Sequence, residues 1–133
     1  MTRHSRIMVA EDDPDLRAAI VAGLRADGHS VVDVGDGTEV QSYVHDCMFL
    51  DLPRPRIDAI VVDVCMPRMD GLTLLAYLRE LGWDLSVVIV TGYATKEITE
   101  LARALGAYAV LGKPLELEDL QRSVRGALAS RSC

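Results

Sequence analysis

Polar groups close four short apolar runs of this chain. Ile7-Met8-Val9-Ala10 leads into Glu11-Asp12-Asp13, and Ile57-Asp58-Ala59-Ile60-Val61-Val62 leads into Asp63. Val87-Val88-Ile89-Val90 ends in Thr91, and Tyr108-Ala109-Val110-Leu111 ends in Gly112-Lys113-Pro114. Such runs read as buried strands, and in an open parallel sheet ligands bind at the carboxyl ends of the strands. Acids, a hydroxyl and an ammonium thus converge on one crevice. Each pair of carboxylates there costs about 4 kcal/mol at an effective dielectric of ~20 and ~4 Å separation. The cluster must raise a pKa or recruit a cation. Mg²⁺ suits an all-oxygen set with few direct carboxylates. Asp63 could then attack a phosphoryl group to form an aspartyl phosphate, with Lys113 and Thr91 neutralising its equatorial oxygens.

Taken singly, these residues are ordinary. A strand-end Asp often forms a turn or caps a helix, and Asp13 before Pro14 reads as such a cap. Thr91 alone says nothing, and Lys-Pro before a helix is common. The joint order is what carries information. His4, His29 and His45 lack the pairing or carboxylate company of metal ligands and are expected at the surface. Trp83 after Gly82 is expected to pack in a loop, and Asp70-Gly71 is a turn whose carboxylate is structural.

Positioning that crevice requires alternating strands and helices. Strands are predicted at 6–10, 30–34, 57–62, 85–90 and 108–111. Helix one runs from the Asp13 cap to the stop at Gly28, with Leu16, Ala19, Ile20, Gly23 and Leu24 on its apolar face. Helix two runs from near Thr38 to Phe49 and helix three from about Leu72 to Leu81. Helix four, capped by Thr95, spans 96–105 and is expected to bury Ile98, Leu101, Ala102 and Leu105. Helix five follows Pro114, with Leu117, Leu120, Val124 and Leu128 on one side, and the tail 130–133 is expected to fray. Between helix two and strand three, the segment from Cys47 through Arg56 is long for such a connection, and its ending Leu52-Pro53-Arg54-Pro55-Arg56 argues for an extended surface path. A docking role for this segment is the alternative, since Met48, Phe49 and Leu50 need not all find burial.

At 133 residues, the chain is large enough for one domain with its own core. A net charge of −6 without a basic stripe excludes direct phosphate-backbone binding to nucleic acid. Cys47, Cys65 and Cys133 form no C-x-x-C pair, which suits a reducing cytoplasm. No stretch reaches the length of a signal peptide or membrane span.

The stretches V-A-E-D-D-P-D-L-R, V-V-D-V-C-M-P-R-M-D-G, V-I-V-T-G-Y and G-K-P-L resemble the receiver domain of two-component response regulators, over roughly 7–128. The resemblance implies an α/β, flavodoxin-like three-layer sandwich: a five-stranded parallel sheet in order 2-1-3-4-5 with five helices. It implies one receiver domain over 1–133, with its core at about 6–129. Asp63 would be the phosphoacceptor, Thr91 the switch hydroxyl and Lys113 the lysine on the phosphoryl group, often before a cis proline, here Pro114. Asp12 and Asp63 would bind Mg²⁺ (or Mn²⁺) directly with the Cys65 backbone carbonyl, and Glu11 through water. Cys65 and Tyr93 would flank the approach of hydrolytic water. A histidine kinase or phosphotransfer protein would supply the phosphoryl group. A downstream target or output domain would read it, with homodimerisation through the helix four, strand five and helix five face.

Three departures stand out. Val110 occupies the position of the family's switch aromatic, and the nearest ring is Tyr108. Signal transmission is therefore expected to lean on Thr91-Gly92-Tyr93-Ala94 and the start of helix four. The connection before Asp63 is roughly eight residues longer than in compact members. No output domain follows helix five, which suggests a stand-alone regulator or a piece of a longer one.

Three classes of function fit such a chain: a phosphorylation-controlled signalling module that is not a turnover enzyme, an Asp-nucleophile phosphatase, and a degenerate receiver serving only as an interaction module. Haloacid-dehalogenase-like phosphatases need an acid two residues past the nucleophile, where this chain has Cys65. Degenerate receivers often lose the acid pair or the lysine, and both are present here.

Overall fold

Strands buried on both faces should read as near-continuous apolar runs, and β3 (Ala59–Asp63) and β4 (Ser86–Thr91) are buried at every position. Around them lie β1 (Arg6–Ala10), β2 (Ser30–Val34) and β5 (Ala109–Gly112), all parallel in the order β2-β1-β3-β4-β5. The computed structural model describes residues 5–50, 56–83 and 85–130. The expected path through Leu52 to Pro55, the tail beyond Ser130, His4, Cys133 and the side chain of Met48 lie outside the described residues.

Five helices cover the sheet: α1 (Pro14–Ala26), α2 (Gly37–Phe49), α3 (Gly71–Glu80), α4 (Lys96–Ala104) and α5 (Leu117–Ser130). Side chains alternate across each strand and so feed two cores. Ile7, Val9, Val61, Val88 and Val90 pack with Ile20 and Leu24 of α1 and with Leu120 and Val124 of α5. Met8, Ala10, Ile60, Val62 and Ile89 pack with Val40, Leu74, Leu75, Leu78 and Ala102 of α2, α3 and α4. This is the expected three-layer, flavodoxin-like architecture.

The caps follow the sequence signals. Asp13 accepts the N–H groups of Asp15 and Leu16, Asp70 accepts that of Thr73, and Thr95 accepts that of Ile98. Gly28 after α1 has φ +93°, a left-handed conformation glycine adopts at no steric cost.

Burial differs from expectation at several residues. Leu101 of α4 is 50% exposed, because α4 lies beside the edge strand β5 and only Ala102 reaches full burial. Ala19 is exposed, and Val21 joins Ile20 and Leu24 in the core instead. Leu117 is 39% exposed, although its side chain fills the space a Cβ would need at Gly23. His29 is not a surface residue: its side chain is 10% exposed, with Nε2 3.8 Å from Asp27 Oδ2. Burial, the leading cause, holds its pKa below the usual value against the pull of Asp27. Trp83 packs partly buried against the α2–α3–α4 core. Phe49 and Leu50 are 58% and 55% exposed, so this end of α2 finds little cover.

Candidate functional site

Sheet register brings the chemistry together. Ala10 pairs with Val62, Asp63 with Val90, and Thr91 with Gly112. Glu11, Asp63, Thr91 and Lys113 therefore stand at the carboxyl ends of four adjacent strands. The backbone continues the link past the strands, Lys113 N–H donating to Thr91 O at 2.9 Å and Val64 N–H to Val90 O at 3.1 Å.

Asp63 is 3% exposed and held at both oxygens. Its Oδ1 accepts the Cys65 N–H at 3.0 Å, and its Oδ2 accepts from Lys113 Nζ at 2.6 Å. Beneath it, Gly71 allows close approach: a Cβ there would lie 2.5 Å from the Asp63 carbonyl oxygen. Cys65 itself is exposed at the rim.

Glu11 is 1% exposed. Its Oε2 accepts the Asp13 N–H at 3.1 Å, while Lys113 Nζ lies 3.2 Å from Oε1. That ammonium is angled to Asp63, which leaves Oε1 a buried acceptor without a well-aligned donor. Burial above all, with the Asp63 charge adding to it, pushes the Glu11 pKa up to about 7, although the Asp13 N–H and Lys113 oppose the rise. Burial alone would lower the Lys113 pKa, but bonding to Asp63 and then Glu11 leaves it raised. The exposed Asp12 completes the cluster: one carboxylate oxygen each from Glu11, Asp12 and Asp63 lie within 4.8 Å of one another. Three oxygen donors around an underbonded buried acceptor fit a hard divalent cation.

Thr91 is fully buried, and its Oγ1 accepts the Tyr93 N–H at 2.9 Å. Tyr93 is 64% exposed. The Lys113-Pro114 peptide is cis. On β5, Val110 packs partly buried against the α2–α3–α4 core, while Tyr108 is 44% exposed with its hydroxyl against the α5 backbone at Gly126.

No motif spacing marks Arg17, yet it touches the site. Its Nη1 donates to the Glu11 carbonyl at 2.8 Å and its Nε lies 3.2 Å from Asp33 Oδ2 on β2. The signal was available, since helical side chains lean toward the helix N-terminus and Arg17 lies one turn past the cap.

A flavodoxin-like sheet with this acidic pocket at its carboxyl edge defines a receiver module of two-component signalling. The chain belongs to the response regulator receiver domain family, whose pattern it matches over residues 7–125. Receiver domains of this family bind Mg²⁺ at an acidic pocket of this kind. The chain is similar to the response regulator MprA of Mycobacterium leprae, with 36% identity over 125 residues, covering 92% of this chain and 50% of that protein. A second MprA, from Mycobacterium sp. (strain KMS), is 37% identical over 130 residues and is covered to 52%. The chain thus spans about half the length of these curated relatives. The receiver domain of the Francisella response regulator 1452 superposes with a TM-score of 0.85 at 24% identity, covering 96% of this chain and 98% of that one. A receiver domain protein from Clostridium thermocellum gives 0.82 at 25% identity, with 96% of each chain covered.

Proposed function

We propose that this chain is a phosphorylation-controlled switch that accepts a phosphoryl group on Asp63 from a phosphohistidine of a histidine kinase or phosphotransfer protein. The supporting observation is the paired seating of Asp63: its carboxylate is buried, oriented by the Cys65 N–H and contacted at 2.6 Å by Lys113. Asp12, Asp63 and the Cys65 carbonyl would hold Mg²⁺ or Mn²⁺ directly, with Glu11 acting through bound water. Such a cation neutralises phosphoryl oxygens as charge shifts between donor and acceptor.

A carboxylate oxygen of Asp63 attacks phosphorus, forming a P–O bond as the P–N bond to the donor imidazole breaks. The imidazole nitrogen keeps the electron pair and takes up a proton. The Lys113 ammonium pairs with a phosphoryl oxygen, and the Thr91 hydroxyl turns to donate to another. Water later attacks phosphorus, releasing phosphate and restoring Asp63.

Residues 1–133 act as one receiver domain, with a core at about 6–129, working in the cytoplasm and turning over no substrate beyond its own aspartyl phosphate. Among the described residues no helix is long and apolar enough to cross a membrane. The net charge of −6 argues against direct nucleic-acid contact by this chain. A target protein or output domain reads the switch, and the α4–β5–α5 face, with Leu101 and Tyr108 half exposed, is the surface for that partner or for a second copy.

The test is incubation with acetyl phosphate, with Mg²⁺ or with EDTA, followed by intact mass. One added phosphoryl group with Mg²⁺ and none with EDTA is expected. No labelling in either condition, or equal labelling in both, contradicts the reading.

A further inference from the structure

We infer that Arg17 is a positioning residue for the metal-binding acids, acting through the main-chain carbonyl that joins Glu11 to Asp12. The inference rests on the metal site proposed above. Both main-chain groups of Glu11 are held: its N–H donates to Val34 O at 3.2 Å, and its carbonyl accepts from Arg17 Nη1 at 2.8 Å. With Glu11 Oε2 fixed by the Asp13 N–H, the Glu11–Asp12 peptide plane is set by the guanidinium. Asp12 leaves the chain directly from that plane. Its carboxylate is exposed, so its aim toward Glu11 and Asp63 depends on the backbone that carries it. A second arm of the fork, Nε at 3.2 Å from Asp33 Oδ2, ties the guanidinium to β2. Gly35 leaves room for it, since a Cβ there would lie 3.1 Å from Nη1.

Electrostatics and positioning predict opposite signs. A positive charge beside the acids repels a divalent cation, so removing it for that reason alone would tighten Mg²⁺ binding. Removing an orienting partner of a ligand weakens binding, as partners outside the ligand set usually contribute 10- to 100-fold in metal affinity. A third role, a structural tie between α1 and β2, would be lost equally by removing Asp33.

Mg²⁺ is titrated into the full chain and its variants, followed by the backbone amide shifts of residues 12 and 63, with thermal midpoints recorded without metal. Arg17→Met should weaken Mg²⁺ binding by about tenfold or more. Asp33→Asn, which keeps the bond to the Glu11 carbonyl, should stay within about twofold, in line with a part-exposed ion pair. Unchanged or tighter binding by Arg17→Met, or an equal loss in Asp33→Asn, overturns the inference. Asp12→Ala separates the two layers. If it keeps wild-type affinity the metal site itself fails; if it loses affinity while Arg17→Met does not, only the role of Arg17 fails.

Discussion

Lys113 Nζ lies 2.6 Å from Asp63 Oδ2 and 3.2 Å from Glu11 Oε1, so a single ammonium bridges two almost fully buried carboxylates. In the proposed function, a divalent cation and a phosphoryl group would share the charge balance of the pocket with it. Breaking a buried pair by removing one partner costs about 3–5 kcal/mol. The Lys113 side chain is 26% exposed, so the lower end of that range applies. Lys113→Met should therefore lower the thermal midpoint strongly in EDTA, and Mg²⁺ should stabilise this variant more than it stabilises the wild type. Equal Mg²⁺ stabilisation of both proteins would show that the lysine does not balance the acids.

Protonation of Glu11 gives the pocket a pH dependence. Its pKa in the folded chain is about 7, above the ordinary 4.5, so the native state binds more protons than the unfolded state between those values. Its contribution to metal-free stability is thus fully present below 4.5 and is lost as pH rises through about 7. At the proposed metal site Mg²⁺ would compete with that proton, so its apparent affinity should climb from pH 6 to 8 and flatten above. Glu11→Gln should remove this rise. A wild-type Mg²⁺ titration that does not change between pH 6 and 8 would contradict the assignment.

Gly71 supports Asp63 by close contact. An added methyl would meet the Asp63 carbonyl oxygen at 2.5 Å and the Val64 Cα at 3.2 Å, both backbone atoms that cannot swing aside. Gly71→Ala should lose about 1–3 kcal/mol in urea unfolding, as overpacked sites do, and should slow phosphorylation. A variant as stable and as quickly labelled as the wild type would show that the β3–α3 turn yields freely.

In the proposed switch, Thr91 links chemistry to shape. Its Oγ1 accepts the Tyr93 N–H at 2.9 Å, and a hydroxyl drawn toward a phosphoryl oxygen weakens that bond and releases the 92–95 turn. Val110 is β-branched and stiff, so it cannot follow with a ring movement. Thr91→Ala should still take a phosphoryl group but show little amide shift over residues 92–100 when a beryllofluoride mimic is added. Large wild-type shifts at Tyr108 and Val110 with none at 92–100 would overturn this route.

The sheet was legible because β1, β3 and β4 are buried on both faces, and burial writes itself as unbroken apolar runs. The pocket was legible for a related reason: its groups stand where those runs stop. Helical faces are less legible. Periodicity shows which residues share a face but not how far the sheet extends beneath it, hence the exposure of Leu101 and Ala19. Apart from Arg17, contacts made by long side chains to remote backbone carry no pattern in the sequence. Arg79 donates to the carbonyls of Trp83, Leu85, Leu105 and Gly106, fastening the end of α3 to the end of α4, and no local spacing announces it. No local pattern marks His29 either, although its side chain is only 10% exposed.

Asp63 is the proposed single acceptor, and its acyl phosphate can be trapped directly. Wild type and Asp63→Asn are treated with acetyl phosphate and Mg²⁺, reduced with borohydride, digested and mapped by mass. A reduced residue at position 63 is expected in the wild type, with no phosphoryl gain anywhere in Asp63→Asn. Unchanged labelling of that variant, or a wild-type label mapped to Asp12 or Asp13, would contradict it.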